Sequence, residues 1–388
     1  IQPHDDPERF RRMGVEVVEG VEARLLPDGR VEAGGRTYAG RRTLIATGSR
    51  PAVPPVEGLE EAGHVTHEDA FDREGLPASA VVLGAGAVGV EFAQAYARLG
   101  VEVTLVEMEE RVLPREDPEL TDLLREVLEE EGVRVLTGVR AVRAGREGEE
   151  RTLRVEPTGG ADGELLRAEE LLVATGRAPN VESLGLEEAG VRYGRSGIEV
   201  DGALRTSRRG VYAAGDVTGG HLFTHVADHE ARTAVRNALF PLHAEVDYSV
   251  VPWAIFSEPE LARVGLSEEE ARERHGDAAA VYRYDLADLD RAVTDREARG
   301  MVKLIAGPKG ELVGAHLLAP RAGSLVSEAA LAVREGTKVT ALADLVHPYP
   351  TLSEGIRRAA QEAHRARLTP RAERWLDRWF RLARRLGL

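Results

Sequence analysis

Short apolar runs alternate with amphipathic stretches along the chain, a pattern typical of an α/β protein with a parallel sheet. The clearest example lies between Ala80 and Glu107. Residues 81–83 are apolar, residues 92–99 place apolar side chains at helical spacing, and residues 101–106 are again mostly apolar. We therefore predict strand, tight turn, helix and strand, with Leu99 on the sheet-facing side of the helix and Gly100 at its end.

Three glycines occupy the predicted turn before the helix. Gly84, Gly86 and Gly89 have the G-x-G-x-x-G spacing. In this pattern the first glycine allows a tight turn, the second lets the backbone approach a pyrophosphate, and the third lets the helix pack closely on the strand. The pyrophosphate then lies at the helix N-terminus. Because an acid, Glu107, follows about 20 residues further on, the stretch predicts a dinucleotide site.

Glu107 also bears on the choice of nucleotide. Its carboxylate can accept hydrogen bonds from the ribose hydroxyls of NADH, but it would face the 2′-phosphate of NADPH. Two like charges at about 4 Å repel by roughly 4 kcal/mol at an effective dielectric constant of 20. We therefore expect NADH to be preferred over NADPH.

Other apolar runs along the chain end in small or polar residues. A strand that ends in this way lets its backbone approach a ligand at the carboxyl edge of a sheet. The runs in question end in Thr47-Gly48, Gly176-Arg177 and Gly215-Asp216.

Two further patterns predict local structure. Asp117, Pro118 and Glu119 combine an N-cap acid, a proline at the first helical position and an acid in the first turn, which predicts a helix start. Apolar runs at 301–305 and 312–318 flank a Pro-Lys-Gly turn and predict a β-hairpin.

Composition and charge narrow the class of protein. A chain of 388 residues is long enough for two or three domains. Its formal net charge of −15 argues against a nucleic-acid partner. It has no apolar run of membrane-spanning length and no signal-peptide pattern, so we expect a cytoplasmic enzyme. It contains no cysteine, so a structural disulfide or redox dithiol is not available within these residues.

The order of the motifs resembles that of the pyridine nucleotide–disulfide oxidoreductases, which are two-nucleotide flavoenzymes of the mercuric reductase and dihydrolipoamide dehydrogenase type. The resemblance covers nearly all of residues 1–365. It implies an α/β fold with two Rossmann-like, three-layer nucleotide-binding domains, the first of them truncated, and an α+β C-terminal dimerisation domain. It also implies FAD and NAD(H) as cofactors, and a homodimer.

The same resemblance divides the chain into segments. Residues 1–54 would be the first, truncated part of an FAD domain, and residues 55–200 the NAD(H)-binding domain. Residues 201–248 would return to the FAD domain, and residues 249–365 would form the dimerisation domain. Residues 366–388 would be a basic amphipathic helix beyond the resemblance.

The FAD site implied by the resemblance uses four of the residues above and one further helix. Thr47, Gly48, Gly215 and Asp216 would border FAD, with Asp216 accepting hydrogen bonds from the ribityl chain. The helix that begins near Thr224 would point at the isoalloxazine.

The resemblance also implies roles for three residues that would lie near the nicotinamide nucleotide. Gly176 and Arg177 would lie at the edge of the NAD site, and Glu91 would lie near the contact between nicotinamide and flavin.

The chain departs from the family's pattern at both ends. The family's FAD-type G-x-G-x-x-G and its redox cysteine pair precede the first Thr-Gly, and neither occurs in these residues. In the dihydrolipoamide dehydrogenase type, a His–Glu pair acts as general base at the partner subunit's disulfide. Here Tyr349 stands in the position of that His, with Glu354 after it and His347 two residues before it.

Tyrosine has a pKa near 10 and is a poor proton acceptor at neutral pH. Tyr349 at this position resembles mercuric reductase instead, although that enzyme's C-terminal cysteine pair has no counterpart here. His347, Tyr349 and Glu354 are the candidate catalytic residues, together with Glu91. Ordinary packing at a subunit interface is the alternative for His347 and Tyr349.

Two other stretches each allow a specific functional interpretation and an ordinary structural one. His221, His225 and His229 recur every four residues, but with no cysteine or defined acid pair beside them we expect no metal site. The arginine-rich tail after Pro370 carries Trp375 and Trp379. It could lie on an anionic membrane surface, but such a helix more often packs on its own acidic protein.

The sequence therefore predicts an NADH-dependent flavoprotein oxidoreductase of the disulfide-reductase type. A hydride would pass from NADH to flavin and on to a disulfide or another acceptor. One alternative is a flavin reductase without a dithiol that reduces a quinone or oxygen. The other is a nucleotide-binding dimer without turnover.

Overall fold

The computed structural model describes residues 5–160, 162–241, 243–367 and 370–386. The outer limits predicted for the first and last segments, residues 1 and 388, lie outside the described residues. Two compact units are present. The first joins Ile1–Arg50 to Arg177–Val246, and the second joins Pro51–Gly176 to Asp247–Leu388. The predicted α/β class is confirmed, and the segment boundaries stay predictions.

Helices and strands alternate through most of the chain. The helices are α1 (Pro7–Arg12), α2 (Leu59–Ala62), α3 (Ala87–Arg98), α4 (Pro118–Glu130), α5 (Thr224–Leu239), α6 (Glu268–His275), α7 (Asp290–Asp295), α8 (Ala322–Arg334), α9 (Val339–Asp344), α10 (Glu354–Arg365) and α11 (Pro370–Leu386). The strands that precede Gly176 are β1 (Ala23–Leu25), β2 (Val31–Ala33), β3 (Arg36–Tyr38), β4 (Thr43–Ile45), β5 (Ser49–Pro51), β6 (Ser79–Leu83), β7 (Glu102–Val106), β8 (Arg134–Leu136), β9 (Val139–Glu147), β10 (Glu150–Pro157), β11 (Glu164–Ala168) and β12 (Glu170–Val173). The remaining strands are β13 (Arg177–Pro179), β14 (Tyr193–Gly194), β15 (Gly197–Ile198), β16 (Val211–Ala213), β17 (Trp253–Ile255), β18 (Glu260–Gly265), β19 (Ala280–Asp285), β20 (Met301–Ala306) and β21 (Leu312–Ala319).

In the first unit, β4 and β16 pair in parallel, with Leu44 opposite Tyr212. Ile45 and Val211 from these strands pack in one buried core with side chains of the segment between β13 and β16. Because the two strands run in the same direction, the residues that follow them emerge at the same edge of the sheet. Thr47-Gly48 and Gly215-Asp216 both follow in this way.

The first half of the second unit has three layers. Its central parallel sheet has the strand order β12-β6-β7-β8. One face packs through Val82 and Leu105 on α3 and α4. The other face packs through Val81 and Leu83 on the antiparallel sheet β11-β10-β9. The predicted strand, turn, helix and strand are therefore confirmed, as parts of a sheet buried on both faces.

The prediction for Leu99 was wrong. Helix α3 ends at Arg98, and Leu99 is its C-cap. Gly100 then takes a φ of +91° and turns the chain toward β7. Since the helical spacing stops before Leu99, its side chain leaves the sheet-facing stripe and is 63% exposed.

The second half of this unit is an antiparallel sheet in the order β17-β18-β21-β20-β19. The predicted hairpin is confirmed as β20 and β21. One face of the sheet buries Val302, Leu304 and Leu317 against α8 and α10.

The opposite face of this sheet carries polar side chains that face the start of α4. Neighbouring strands pair Trp253 with Arg263, Arg263 with His316, His316 with Lys303, and Lys303 with Arg283. Residues paired in this way lie side by side on one face of a sheet. We call these five residues the cross-sheet row.

One end of the row holds the segment before α4. Arg263 Nη1 donates a hydrogen bond to the carbonyl oxygen of Arg115 at 3.0 Å. Trp253 Nε1 donates to Glu116 Oε1 at 2.9 Å. Burial raises the pKa of Glu116, although the bond from Trp253 and the charge of Arg263 oppose the rise.

The other end of the row is a buried ion-pair network. Lys303 Nζ lies 2.7 Å from Asp117 Oδ2 and 2.7 Å from Glu268 Oε2. Arg283 binds Glu119 and Glu268. Burial opposes the charged form of Lys303, but its bonds to Asp117 and Glu268 outweigh burial and raise the pKa of its ammonium group.

His316, in the middle of the row, is expected to make stability depend on pH. Its ring is fully buried, and Nε2 lies 3.0 Å from the carbonyl oxygen of Leu266. Burial, followed by the charge of Arg263, lowers its pKa from 6.5 to about 4. Between these two values the unfolded chain binds a proton that the folded chain excludes, so the free energy of unfolding falls as pH falls, by on the order of 3 kcal/mol.

Urea unfolding of the wild type and of His316→Gln at pH 7 and pH 4.5 measures this effect. We expect the stability advantage of the wild type to shrink at pH 4.5, because glutamine does not titrate. Glu268, whose pKa is held at about 2, contributes a further loss only below its ordinary value of 4.5. An equal advantage at both pH values would contradict the assignment to His316.

Candidate functional site

The glycine turn of the second unit lies between β6 and α3. A Cβ on Gly84 would lie 2.6 Å from the carbonyl oxygen of Ala174, and a Cβ on Gly89 would lie 1.8 Å from that of Gly84. Both positions therefore exclude a side chain. At Gly86 a Cβ would have no atom of the described chain within 4 Å. Gly86 is also the N-cap of α3, and no side-chain hydrogen bond caps the first amides of this helix.

Glu107 directly follows β7 and is bound to the turn. Its Oε2 accepts a hydrogen bond from the amide of Ala85 at 2.7 Å, and its Oε1 accepts one from the amide of Glu109 at 3.0 Å. The amide of Leu113 donates to the carbonyl oxygen of Ala85 at 2.8 Å, so the Ala85 residue is held on both sides. Each carboxylate oxygen retains a lone pair for a ribose hydroxyl.

These residues fit the pyrophosphate and adenosine ribose of NADH. The open space beside Gly86 and the helix N-terminus suit a doubly charged phosphate bridge. The carboxylate of Glu107 suits a ribose diol and repels a 2′-phosphate. Gly84, Gly86 and Gly89 thus lie in one turn to which Glu107 is hydrogen-bonded through Ala85, and their role in binding a nucleotide stays a prediction.

Gly176 and Glu91 are the other candidates in the second unit. Gly176 has a φ of +133°, and its carbonyl oxygen accepts a bond from the amide of Ala52. Glu91 Oε1 accepts a bond from the amide of Phe256, just after β17, at 2.8 Å. Burial raises the pKa of Glu91, and the bond from Phe256 partly opposes this rise. Glu91 thus joins α3 to the five-stranded sheet, a contact that the sequence did not predict.

In the first unit, Asp216 lies beside Arg177 with Ser49 between them. Ser49 Oγ donates to Asp216 Oδ2 at 2.6 Å, and Arg177 Nε donates to Ser49 Oγ at 2.6 Å. Arg177 Nε is 3.5 Å from Asp216 Oδ2. Sequence reasoning missed Ser49, although it directly follows the Thr47-Gly48 pair.

The neighbouring residues of the first unit position this group. Thr47 Oγ1 donates to the carbonyl oxygen of Asn180 at 2.7 Å, and Asn180 Nδ2 donates to that of Thr47 at 2.9 Å. The amide of Gly215 donates to Glu230 Oε2 at 2.6 Å. Thr224 is the first residue of α5, as predicted.

These residues fit the ribityl end of FAD. Asp216 is a partly exposed acceptor for ribityl hydroxyls. Helix α5 begins at Thr224, and its N-cap Phe223 offers no side-chain acceptor to the first turn. At Gly48, whose φ is +67°, a Cβ would meet no atom of the described chain within 4 Å.

The three candidates near the C-terminus have three different partners. Tyr349 is exposed, and its hydroxyl donates to Asp290 Oδ2 at 2.9 Å, which raises the pKa of the phenol. His347 Nε2 lies 3.2 Å from both carboxylate oxygens of Glu328.

Glu354 is buried at the start of α10. Its Oε1 accepts a bond from Arg357 Nη2 at 2.9 Å. The hydrogen bonds of Tyr349, His347 and Glu354 therefore do not bring the three side chains together within one chain.

Within the described ranges, no group of three or more His, Cys, Asp or Glu side chains is arranged to hold a metal ion. Among the helices of those same ranges, none combines the length and the apolar character needed to cross a bilayer.

Two family profiles match the chain. The profile of the pyridine nucleotide-disulphide oxidoreductases matches residues 8–236. The profile of the pyridine nucleotide-disulphide oxidoreductase dimerisation domain matches residues 251–360.

Several characterised proteins are similar over most of this chain. Mercuric reductase of Bacillus cereus is 36% identical over 348 residues, which cover 89% of this chain and 54% of that protein. Dihydrolipoyl dehydrogenase of Thermus scotoductus is 39% identical over 360 residues, covering 90% and 76%. The structure of the HOCl-induced flavoprotein disulfide reductase RclA of Escherichia coli, as its Cu(II) complex, superposes with a TM-score of 0.82 at 27% identity, covering 93% of this chain and 84% of RclA. The chain thus spans about half the length of the Bacillus cereus enzyme.

Proposed function

The chain belongs to the pyridine nucleotide-disulphide oxidoreductase family, and on that premise we propose that it is an NADH-dependent flavoprotein oxidoreductase. Members of this family are FAD-dependent, NAD(P)H-using oxidoreductases. The proposal for this chain is narrower: NADH is the donor, and a disulfide or another two-electron acceptor takes the electrons.

The arrangement around Ala85 carries the proposal. Glu107 and Leu113 hold Ala85 from two sides, beside the open space at Gly86. A nucleotide with a free ribose diol gains hydrogen bonds to Glu107, whereas one with a 2′-phosphate meets like charge. This supports NADH over NADPH.

The residues of this chain would bind and orient the two cofactors. Bound flavin would supply the redox chemistry, taking a hydride from NADH and passing on an electron pair. Asp216, oriented by Ser49, would hold ribityl hydroxyls, and the start of α5 would point at the flavin with the positive end of its helix dipole. Gly176 and Arg177 would lie at the edge of the nicotinamide nucleotide, with Glu91 near the contact between the two cofactors.

A spectroscopic titration tests the proposal. We expect the chain, supplied with FAD, to show a flavin absorption band that NADH bleaches under anaerobic conditions. NADPH should require at least about a tenfold higher concentration, because even a third of the repulsion estimated above changes affinity tenfold. Glu107→Gln should narrow this preference, and Glu110→Gln, which removes a similar charge at an exposed neighbouring position, should not.

The outcomes separate the alternatives. Heat from NADH binding without any flavin band would support a nucleotide-binding dimer that has no turnover. Equal bleaching by NADH and NADPH would contradict the role given to Glu107. Absence of both binding and bleaching would overturn the proposal.

A second acceptor class is favoured by the composition. The chain has no cysteine, so within these residues electrons cannot pass to a protein dithiol. Tyr349, a weak proton acceptor, stands where the disulfide-reducing type has its basic His. A quinone or oxygen is therefore the alternative acceptor, and steady-state assays with each acceptor distinguish them from a disulfide.

The dimerisation profile supports a homodimer. Apolar side chains of that region are exposed in the single chain, among them Phe256, Leu331, Leu345 and Val346. In a homodimer, we propose, Tyr349 and Glu354 would act beside the partner subunit's cofactor.

A further inference from the structure

Most of the described side chains of helix α11 are exposed to solvent. From Arg374 to Arg385 every side chain is exposed except Leu376 and Ala383, which are half-buried. Trp375 is 63% exposed and Trp379 is 49% exposed. The plainer expectation, that this helix packs its apolar side on the acidic protein, is not what the structure describes.

The apolar residues of α11 form one stripe. At 100° per residue, the apolar side chains described in this helix fall within less than half of its circumference: Trp375, Leu376, Trp379, Phe380, Leu382 and Ala383. The rings of Trp375 and Trp379 are stacked, with centroids 6.2 Å apart and planes 6° apart. Tryptophan side chains favour the boundary between water and an apolar phase, since the ring is apolar and its N–H is polar.

The arginines occupy the flank of this stripe. Arg374, Arg378, Arg381 and Arg385 fall within a quarter of the circumference by the same spacing. Over residues 370–386 there are six arginines against two acidic residues, a net charge of +4 in a chain whose net charge is −15. The helix is thus a cationic, tryptophan-bearing element attached to an acidic protein.

We propose that α11 binds flat on the surface of an anionic lipid bilayer. A helix with a strongly charged side, a tryptophan-bearing apolar side and modest overall hydrophobicity lies in the interfacial plane. Anionic headgroups complement the arginines, while the acyl boundary takes up Trp375 and Trp379.

Other occupants fit this surface less well. A nucleic acid would pair with the arginines but would leave much of the apolar stripe in water. A second copy of the helix could cover the stripe, but it would bring two cationic elements together. Both remain as outcomes of the test.

The test uses the full chain with vesicles of phosphatidylcholine alone and of phosphatidylcholine with phosphatidylglycerol. We expect cosedimentation only with the anionic vesicles, weakening as salt rises because the arginine contribution is screened. We also expect a blue shift of tryptophan emission, since two of the three tryptophans lie in α11.

Two double variants separate the contribution of the tryptophans to vesicle binding from that of the arginines. Trp375→Ser with Trp379→Ser should lower partitioning at least tenfold. Arg378→Gln with Arg381→Gln should lower it and flatten its salt dependence. Arg140→Gln with Arg154→Gln removes the same charge from exposed positions on β9 and β10 and should leave binding unchanged.

Several results would overturn the proposal. These are failure of the wild type to bind anionic vesicles, equal binding to both vesicle types, or full binding by the tryptophan variant. A smaller oligomer for the tryptophan variant in lipid-free solution, without lipid binding by the wild type, would assign the stripe to a second copy. Oligonucleotide binding that the arginine variant alone abolishes, again without lipid binding, would assign the helix to nucleic acid. Circular dichroism on every variant checks that the fold is retained.

Discussion

Replacing Lys303 by methionine is expected to lower the free energy of unfolding by about 3–5 kcal/mol. The ammonium group is 2% exposed and lies between the carboxylates of Asp117 and Glu268, with Glu119 3.2 Å away. Methionine fills similar space but leaves the buried Asp117 without its cation, while Arg272 and Arg283 still pair with Glu268, and Arg283 with Glu119. Urea unfolding followed by tryptophan fluorescence, to which Trp253 of the same cross-sheet row contributes, measures the loss.

Lys309→Met is the matched control, because Lys309 is exposed in the turn between β20 and β21. We expect this variant to change stability by less than about 0.5 kcal/mol. The loss caused by Lys303→Met should shrink below pH 5, since protonation relieves repulsion among the unpaired acids. If both lysine variants unfold at the same urea concentration, the network contributes little to stability.

Replacing Gly89 by alanine is expected to weaken NADH binding at least tenfold. The new Cβ would lie 1.8 Å from the carbonyl oxygen of Gly84, so α3 or the glycine turn must move. Either movement displaces the amides at the helix N-terminus from the pyrophosphate. Isothermal calorimetry with NADH gives the dissociation constant, and thermal unfolding gives the accompanying loss of stability.

Two other glycines provide the comparison. Gly86→Ala has room for its Cβ, so it should lower NADH affinity while leaving thermal unfolding unchanged. Gly75→Ala also has room and lies outside the glycine turn, so it should change neither quantity. Wild-type NADH affinity in both Gly86→Ala and Gly89→Ala would show that the turn does not bind the nucleotide.

Features determined by neighbouring residues could be predicted from the sequence. Asp117 accepts a bond from the amide of Glu119 and precedes Pro118, and the helix begins there as predicted. The glycine turn follows the same logic, because a positive φ at Gly84 and the close approach at Gly89 are requirements that glycine alone meets.

Features determined by distant pairing could not be predicted in this way. Lys303 and Asp117 are 186 residues apart, and Arg177 and Ser49 are 128 residues apart. The alternation of apolar and polar residues along a strand predicts which face of the sheet each side chain lies on. It does not predict the register between two strands, which places Lys303 beside His316. A signal was nevertheless present, because Lys303 and His316 interrupt strands that are otherwise almost entirely apolar. Charged residues in such strands are usually buried only with a partner.

The cross-sheet row also limits which segments of this protein can be exchanged for those of a homologue. Arg263, Trp253 and Lys303 bind the consecutive residues 115, 116 and 117, which follow directly from the loop beside Glu107. A chimera that exchanged only the parallel-sheet segment for a homologous one would need matching acids at positions 116 and 117, because residue 115 contributes only its carbonyl oxygen. To alter cofactor choice by segment exchange, strands β17–β21 would therefore have to be transplanted together with the nucleotide-binding segment.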